Sequence, residues 1–133
     1  MGINGGNNSS YALYVNGSVY ATGNVYAASD GRLKTNIITI DDALNKVMKL
    51  RGVFYERIDN PDTPGHNIGV INREMGVIAQ EVLEVIPEVV TYTEDVYGVN
   101  YGNITGILIE AIKDLKKELN DLRDELNMLK GIE

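Results

Sequence analysis

The chain has 133 residues, and it contains no cysteine, one histidine and one phenylalanine. The absence of cysteine excludes disulfides and thiolate metal sites, and it leaves the redox compartment unmarked. His66 lies alone in a proline-containing stretch, so neither a histidine cluster nor a serine–histidine pair is indicated. No apolar run is long enough to span a bilayer. We therefore expect no metal, no cofactor and no membrane partner.

Positive charge is also scarce, with 12 basic against 19 acidic residues and a net charge of -7. This balance disfavours non-specific binding to phosphate backbones, so no nucleic-acid partner is expected. The N-terminus lacks a basic stretch followed by an apolar one, so no secretory signal is predicted. The opening MGINGG is typical of an expression start joined to the middle of a longer chain, and we expect a C-terminal fragment.

Residues 11–28 are small, uncharged and rich in glycine, asparagine and tyrosine. The stretch Gly17–Tyr20 returns as Gly23–Tyr26, a spacing of six residues. Short strands at a fixed period cannot bury their apolar faces alone and need neighbouring coils or partner chains. Residues 11–28 are therefore interpreted as short β-strands that neighbouring coils or partner chains complete, with a flexible linker as the alternative.

Residues 38–102 have the pattern of a small α+β unit. The pattern predicts a helix that begins at Asp41–Asp42, with apolar residues Leu44, Val47, Met48 and Leu50 and an end near Gly52. It then predicts a strand at 53–55, a polar loop at 58–67, a buried strand at 75–78, a helix at 80–86 and a hairpin of 89–92 with 97–99 that turns at 94–95. The acidic pairs at 41–42 and 94–95 are better explained by the helix start and the turn than by metal binding.

Residues 103–130 predict a coiled-coil helix. The apolar residues step alternately by four and three, which defines a heptad seam: Leu108, Ile112, Leu115, Leu119, Leu122, Leu126 and Leu129. In a parallel, in-register assembly each g residue meets the e residue five positions on in the neighbour. Glu118 then faces Arg123, and Glu125 faces Lys130, with opposite charges both times. The alternative is an amphipathic helix folded onto its own domain, and the seam residues do not distinguish two strands from three.

Ser29 and Lys34 lie where the uncharged, glycine-rich stretch ends and the charged, helical part begins. A serine hydroxyl becomes a good nucleophile when a base removes its proton, and a neutral lysine amine can be that base. A turn could bring residues five apart together, although most serine–lysine pairs at this spacing are a cap and a solvated cation.

The residues around this pair are more specific. The stretch 29–37, SDGRLKTNI, is followed by GVIAQEV at 76–82 and PEVV at 87–90. Together they resemble the peptidase S74 family, the intramolecular chaperone domains at the C-termini of phage tail spikes and tail fibres, including endosialidases. The resemblance covers about residues 29–130.

The resemblance implies an α+β chaperone domain, residues 29–133, that forms a homotrimer and guides folding of the upstream fibre segment. Residues 1–28 would then be the end of a β-structured fibre stem, similar to a triple β-helix, that only a trimer completes. It then implies self-release by autoproteolysis, with Ser29 as nucleophile and Lys34 as general base. The cut would fall beside Ser29, at the Ala28–Ser29 or the Ser29–Asp30 bond. The expected setting is a virion tail-fibre or tail-spike precursor made in the host cytoplasm, whose chaperone part is released. The alternative is a non-catalytic trimeric fibre tip, either structural or receptor-binding.

Overall fold

The computed structural model describes residues 11–15, 18–56, 73–93 and 95–131. The chain divides into two compact units, residues 1–35 with 56–74 and residues 36–55 with 75–133. The predicted loop at 58–67, including His66, lies outside the described residues, as does Glu94 of the predicted turn.

The described elements form an α+β fold with small sheets and one long C-terminal helix, as the sequence predicts. In chain order they are α1 (Ala43–Met48), β1 (Val53–Glu56), β2 (Arg73–Gly76), α2 (Ala79–Leu83), β3 (Val90–Thr93), β4 (Val96–Val99) and α3 (Tyr101–Leu129), with short 3-10 turns at Gly31–Leu33 and Pro87–Val89. The strands pair as two separate ribbons, β1 with β2 and β3 with β4.

A small core holds the second unit together. Its fully buried members are Ala43, Val82, Ile86, Val89, Ile107 and Ala111. Helix α1 packs along the first half of α3, and the 3-10 turn at Pro87–Val89 contacts both α3 and α2. Apolar residues at helical spacing supply these contacts, because each short helix can bury only one stripe.

The start of α1 is held by a residue of α3. Asp42 stands at the N-cap in a left-handed conformation, with φ of 51°, and makes no side-chain cap. Instead Asp114 Oδ2 accepts a hydrogen bond from the Leu44 backbone N–H at 3.2 Å. Since a carboxylate at the first turn satisfies a free N–H and favours the helix dipole, Asp114 fixes α1 against α3.

The β3–β4 hairpin follows the prediction closely. Tyr92 lies opposite Tyr97, with ring centroids 4.6 Å apart, and Thr93 lies opposite Val96. Asp95 turns the chain with φ of 61°, and its carboxylate accepts a hydrogen bond from Tyr92 Oη at 3.0 Å. An aspartate tolerates this left-handed conformation better than a branched residue.

Two expectations for this unit are wrong in detail. The second strand is only half-buried: Met75 is 73% exposed while Glu74 and Gly76 are partly buried, because among the described residues β2 belongs to a two-stranded sheet with β1. This strand ends at Gly76, and Ile78 already stands at the N-cap of α2. Met48 is likewise exposed, because α1 ends there instead of continuing toward Gly52.

The described residues of 11–30 are exposed and carry no assigned strand in the single chain. Among them Val19, Tyr20, Val25 and Tyr26 are among the most exposed apolar side chains. Strands that complete their pairing only between chains would leave such residues uncovered in one copy. The fibre stem at 1–28, and its boundary with a chaperone domain at 29–133, stay predictions.

Candidate active site at Ser29 and Lys34

A tight turn brings the two ends of the segment 29–34 together. The Leu33 N–H donates to the Asp30 carbonyl at 3.0 Å, and the Lys34 N–H donates to the Gly31 carbonyl at 3.1 Å. Asp30 is the N-cap of this 3-10 turn, and its Oδ1 accepts a hydrogen bond from the Arg32 N–H at 2.8 Å. A short polar side chain in this position satisfies a backbone donor that the turn leaves free.

The Asp30 carboxylate also binds the Arg32 guanidinium. Arg32 Nε lies 3.1 Å from both carboxylate oxygens, and Arg32 Nη2 lies 2.7 Å from Oδ2. The side-chain bond to Arg32, followed by the backbone bond, lowers the pKa of Asp30 below its ordinary value. The same contact raises the pKa of Arg32. Both groups are exposed, so the pair acts as a geometric clamp more than as a source of stability.

Lys34 Nζ donates a hydrogen bond to Ser29 Oγ at 2.6 Å across this turn. Within the described part of the chain neither atom makes another hydrogen bond, and both side chains are exposed. The contact joins a hydroxyl and an amine at proton-transfer distance. If the amine is neutral, the same geometry lets the hydroxyl donate to nitrogen, which is the arrangement that activates a serine.

Gly31 has no side chain, and the structure leaves space at this position for one. A Cβ at Gly31 would meet no atom within 4 Å, and its φ lies outside the left-handed region. The turn therefore forms with glycine and would accept a larger residue.

The second motif, GVIAQEV, is structural in this chain. A Cβ at Gly76 would collide with Tyr101 Oη, and the same Oη accepts a hydrogen bond from the Val77 N–H at 3.2 Å. Val82 is in the core, and Glu81 forms an exposed ion pair with Arg51 at 2.5 Å. This pairing lowers the pKa of Glu81. The motif thus fixes β2 and α2 to the start of α3.

Several of these positioning residues have no local signal in the sequence. Tyr101 and Asp114 contact partners 24 and 70 residues away. The Asp30 cap could have been predicted, because an aspartate before a short turn is a common N-cap. In the described residues there is no group of three acidic or histidine side chains placed to hold a metal ion, and no helix there could cross a membrane.

The seam of α3 is uncovered. Its first half packs on α1 through Ile107 and Ala111, which are almost fully buried. The heptad residues predicted to form the seam are all exposed, between 43% for Leu108 and 86% for Leu129. The first half of the helix therefore does fold onto its own domain, through a face adjacent to the seam, and the coiled coil stays a prediction.

Comparison with protein families identifies a match for the segment that begins with the turn 29–34. Residues 29–91 match the family Peptidase S74, described as chaperone of endosialidase. The resemblance inferred from the motifs is confirmed. The match begins at Ser29, the residue that contacts Lys34.

The similar curated proteins are mostly phage fibre proteins. The chain is 35% identical over 132 residues to the long tail fiber protein Gp37 of Enterobacteria phage K3, and 32% identical over 129 residues to that of phage M1. It is also 30% identical over 132 residues to a myelin gene regulatory factor-like protein of Dictyostelium discoideum. These matches cover 90% of this chain but 10%, 50% and 14% of the three relatives. The domain is therefore one that phage tail-fibre proteins carry.

Proposed function

We propose that this chain is a self-cleaving intramolecular chaperone: it forms a parallel homotrimer, guides folding of an upstream tail-fibre segment and then cuts itself beside Ser29. The observation that carries the proposal is the 2.6 Å contact between Lys34 Nζ and Ser29 Oγ, at the first residues of the chaperone domain. The virion tail fibre, made as a precursor in the host, is the corresponding setting.

The uncovered α3 seam supports self-association. Seven apolar residues at heptad spacing would bury their exposed area between helices, which is the main driving force for coiled-coil formation. In the described part of the chain Glu118, Arg123, Glu125 and Lys130 form no ion pair. Their charges are available for the g-to-e pairs between copies.

The same charges favour parallel helices. In an antiparallel pair, e residues face e residues, which would set Lys116, Arg123 and Lys130 against one another. Like charges at these positions disfavour that orientation, whereas parallel register pairs each glutamate with a basic residue. Parallel chains also begin their α3 helices together, as alignment of three upstream segments requires.

We propose the following steps for the cut, because the Ser29 hydroxyl and the Ala28 carbonyl belong to neighbouring residues. Lys34 takes the proton from Ser29 Oγ, and the oxygen attacks the carbonyl carbon of Ala28. The Ala28–Ser29 C–N bond breaks, the freed Ser29 amine takes a proton, and an ester joins Ala28 to Oγ. Water then hydrolyses the ester and leaves a carboxylate on Ala28 and a hydroxyl on Ser29. The Ser29–Asp30 bond is the alternative cleavage site.

Assembly would complete what one copy lacks. An amine is kept neutral by burial away from water, and an oxyanion needs preorganised donors. Ser29 and Lys34 are exposed in the single chain. We therefore expect neighbouring copies to exclude water from the pair, so that cleavage follows trimerisation.

The test compares the wild type with a Leu119→Asp, Leu122→Asp double variant. Charges buried without partners in the seam should abolish assembly, and the variant should remain one uncut chain while the wild type trimerises and gives two fragments. The matched control, Lys117→Asp with Asn120→Asp, changes the outer face of the same turn and should assemble and cut. Cleavage of the monomeric variant at the wild-type rate would contradict the coupling, and an uncut wild-type trimer would favour the non-catalytic fibre tip.

A further inference from the structure

Helix α3 presents an apolar flank that its own domain does not use. Ile109 occupies the e position of the first heptad and is 50% exposed. On the opposite flank Ile104, at g, packs partly on the core, and Ala111, also at g, is buried there. The helix therefore has an open side at Ile109 and a side supported by α1 at Ile104.

The g-to-e rule connects these two flanks between copies. The rule pairs Glu118 with Arg123 and Glu125 with Lys130. One heptad earlier it pairs Ala111 with Lys116, and one heptad before that it pairs Ile104 with Ile109. The ladder is thus ionic toward the C-terminus and apolar where α3 lies against α1.

We propose that Ile109 of each copy docks on Ile104 of the next copy, beside α1, so that the interface between copies continues from the coiled coil onto the α1–α3 core. The occupant of this surface is a second copy of the chain, in parallel register; the inference rests on the proposed assembly. In that register each glutamate at g meets a basic residue at e, and it is the only register in which the isoleucine at g, Ile104, meets the isoleucine at e, Ile109.

This contact has a consequence for assembly. Ile104 contacts the same core that includes Ala43 of α1. Docking on Ile104 therefore places the neighbouring helix against a supported surface instead of a free helix, which fixes the position of each α1–α3 core relative to the trimer axis. A seam of leucines alone does not specify that position, because leucines in adjacent layers are alike.

Crosslinking tests the contact directly, since the chain has no cysteine to interfere. Ile104→Cys and Ile109→Cys chains, each also carrying Ser29→Ala, are co-expressed and treated with a short bifunctional thiol reagent. We expect crosslinked dimers of unlike chains. The matched control pairs Ile104→Cys with Lys116→Cys, which moves the partner thiol by about 10 Å along the axis and should crosslink at background level.

The dissociation constant of the trimer provides a second test of the Ile104–Ile109 contact. Ile109→Asp should raise the dissociation constant of the trimer at least about tenfold, because it sets a carboxylate against Ile104. Met128→Asp changes a more exposed apolar residue, outside the a, d, e and g positions, and should leave the constant unchanged. Circular dichroism checks that both variants keep their helix.

The outcomes separate the two claims. A trimer that crosslinks equally in both pairs, or in neither, overturns the Ile104–Ile109 contact and leaves the proposed function standing. A trimer of unchanged stability with Ile109→Asp also overturns the contact. A wild-type chain that sediments as a monomer overturns the contact and the proposed assembly together.

Discussion

At the scale of single residues, the proposed cleavage depends on how firmly the turn 29–34 holds Lys34 Nζ against Ser29 Oγ. The Asp30 cap and the two backbone hydrogen bonds fix the turn, and Arg32 holds the Asp30 carboxylate from outside. None of these groups is buried in one copy. In the proposed function the turn supplies the geometry of the pair, and neighbouring copies supply the water-excluding environment that catalysis needs.

Lys34→Arg should reduce the rate of autocleavage about 100-fold or more, as should Lys34→Ala, because arginine stays protonated and cannot accept the serine proton. Lys117→Arg, on the outer face of α3, is the control and should cleave normally. Rates are read from denaturing gels, with sedimentation to verify assembly. Normal cleavage of Lys34→Arg would remove Lys34 from the role of base.

We expect Asp30 to influence the cleavage rate by fixing the turn 29–34. Asp30→Ala should slow cleavage severalfold because it removes both the cap and the Arg32 contact, whereas Asp30→Asn keeps a good cap and should cleave faster than Asp30→Ala. The rate of each variant is measured against that of the wild type at one pH. Equal rates for the two variants would show that the cap is not what positions the pair.

The lowered pKa of Asp30 sets the sign of its pH dependence. A carboxyl with a depressed folded pKa contributes fully above its ordinary pKa, and the contribution is lost as the pH falls through the folded value. The contribution of the Asp30 carboxylate to the turn should therefore not change with pH above about pH 5. A change in cleavage rate between neutral and mildly alkaline pH should persist in Asp30→Asn, and its disappearance there would contradict this assignment.

At the scale of elements, the parts predicted from sequence are those with local signals. The α3 helix follows from heptads, and the β3–β4 hairpin from a turn between β-forming residues. The contact of Asp114 with Leu44 joins residues 70 apart and has no local pattern. The short run Met75–Ile78 looked buried because it is apolar, but a two-stranded ribbon leaves one face open.

The candidate site could likewise be predicted from the sequence only in part. Spacing and family resemblance pointed to Ser29 and Lys34, and the structure places them in contact. Their catalytic roles and the bond that is cut stay predictions, since these depend on surroundings that a single chain does not contain.

A substitution at Gly76 tests the structural role of the GVIAQEV motif. Gly76→Ala should lower the free energy of unfolding by about 1–3 kcal/mol, because the new Cβ collides with Tyr101 Oη. Gly52→Ala is the control, since a Cβ there meets nothing within 4 Å. Urea unfolding measures both. If Gly76→Ala were as stable as Gly52→Ala, the close packing of Tyr101 would not constrain this glycine.

At the scale of the whole molecule, one copy leaves a large apolar surface exposed in the α3 seam and around residues 19–26. Soluble monomers rarely expose contiguous apolar surface of this kind, and an assembly would cover it. Two or three parallel helices would each satisfy the g-to-e pairs, and the number three is what the resemblance to the phage chaperone domains implies.

Sedimentation equilibrium of the Ser29→Ala chain should therefore give three times the 14.6 kDa chain mass at micromolar concentration. High salt should weaken the assembly only modestly, because the ionic pairs lie at its rim while the seam is apolar. A mass of one or two chains would contradict the trimer.

The most direct test of the central claim is denaturing mass spectrometry of freshly assembled wild-type protein, incubated without added protease. Autocleavage at Ala28–Ser29 predicts two species, residues 1–28 and residues 29–133, which appear at a rate independent of protein concentration once the trimer has formed. Cleavage in 18O-labelled water should place the label on the new carboxylate of Ala28. Ser29→Ala should give a single species of full mass. A wild-type trimer that keeps its full mass after prolonged incubation would contradict the account.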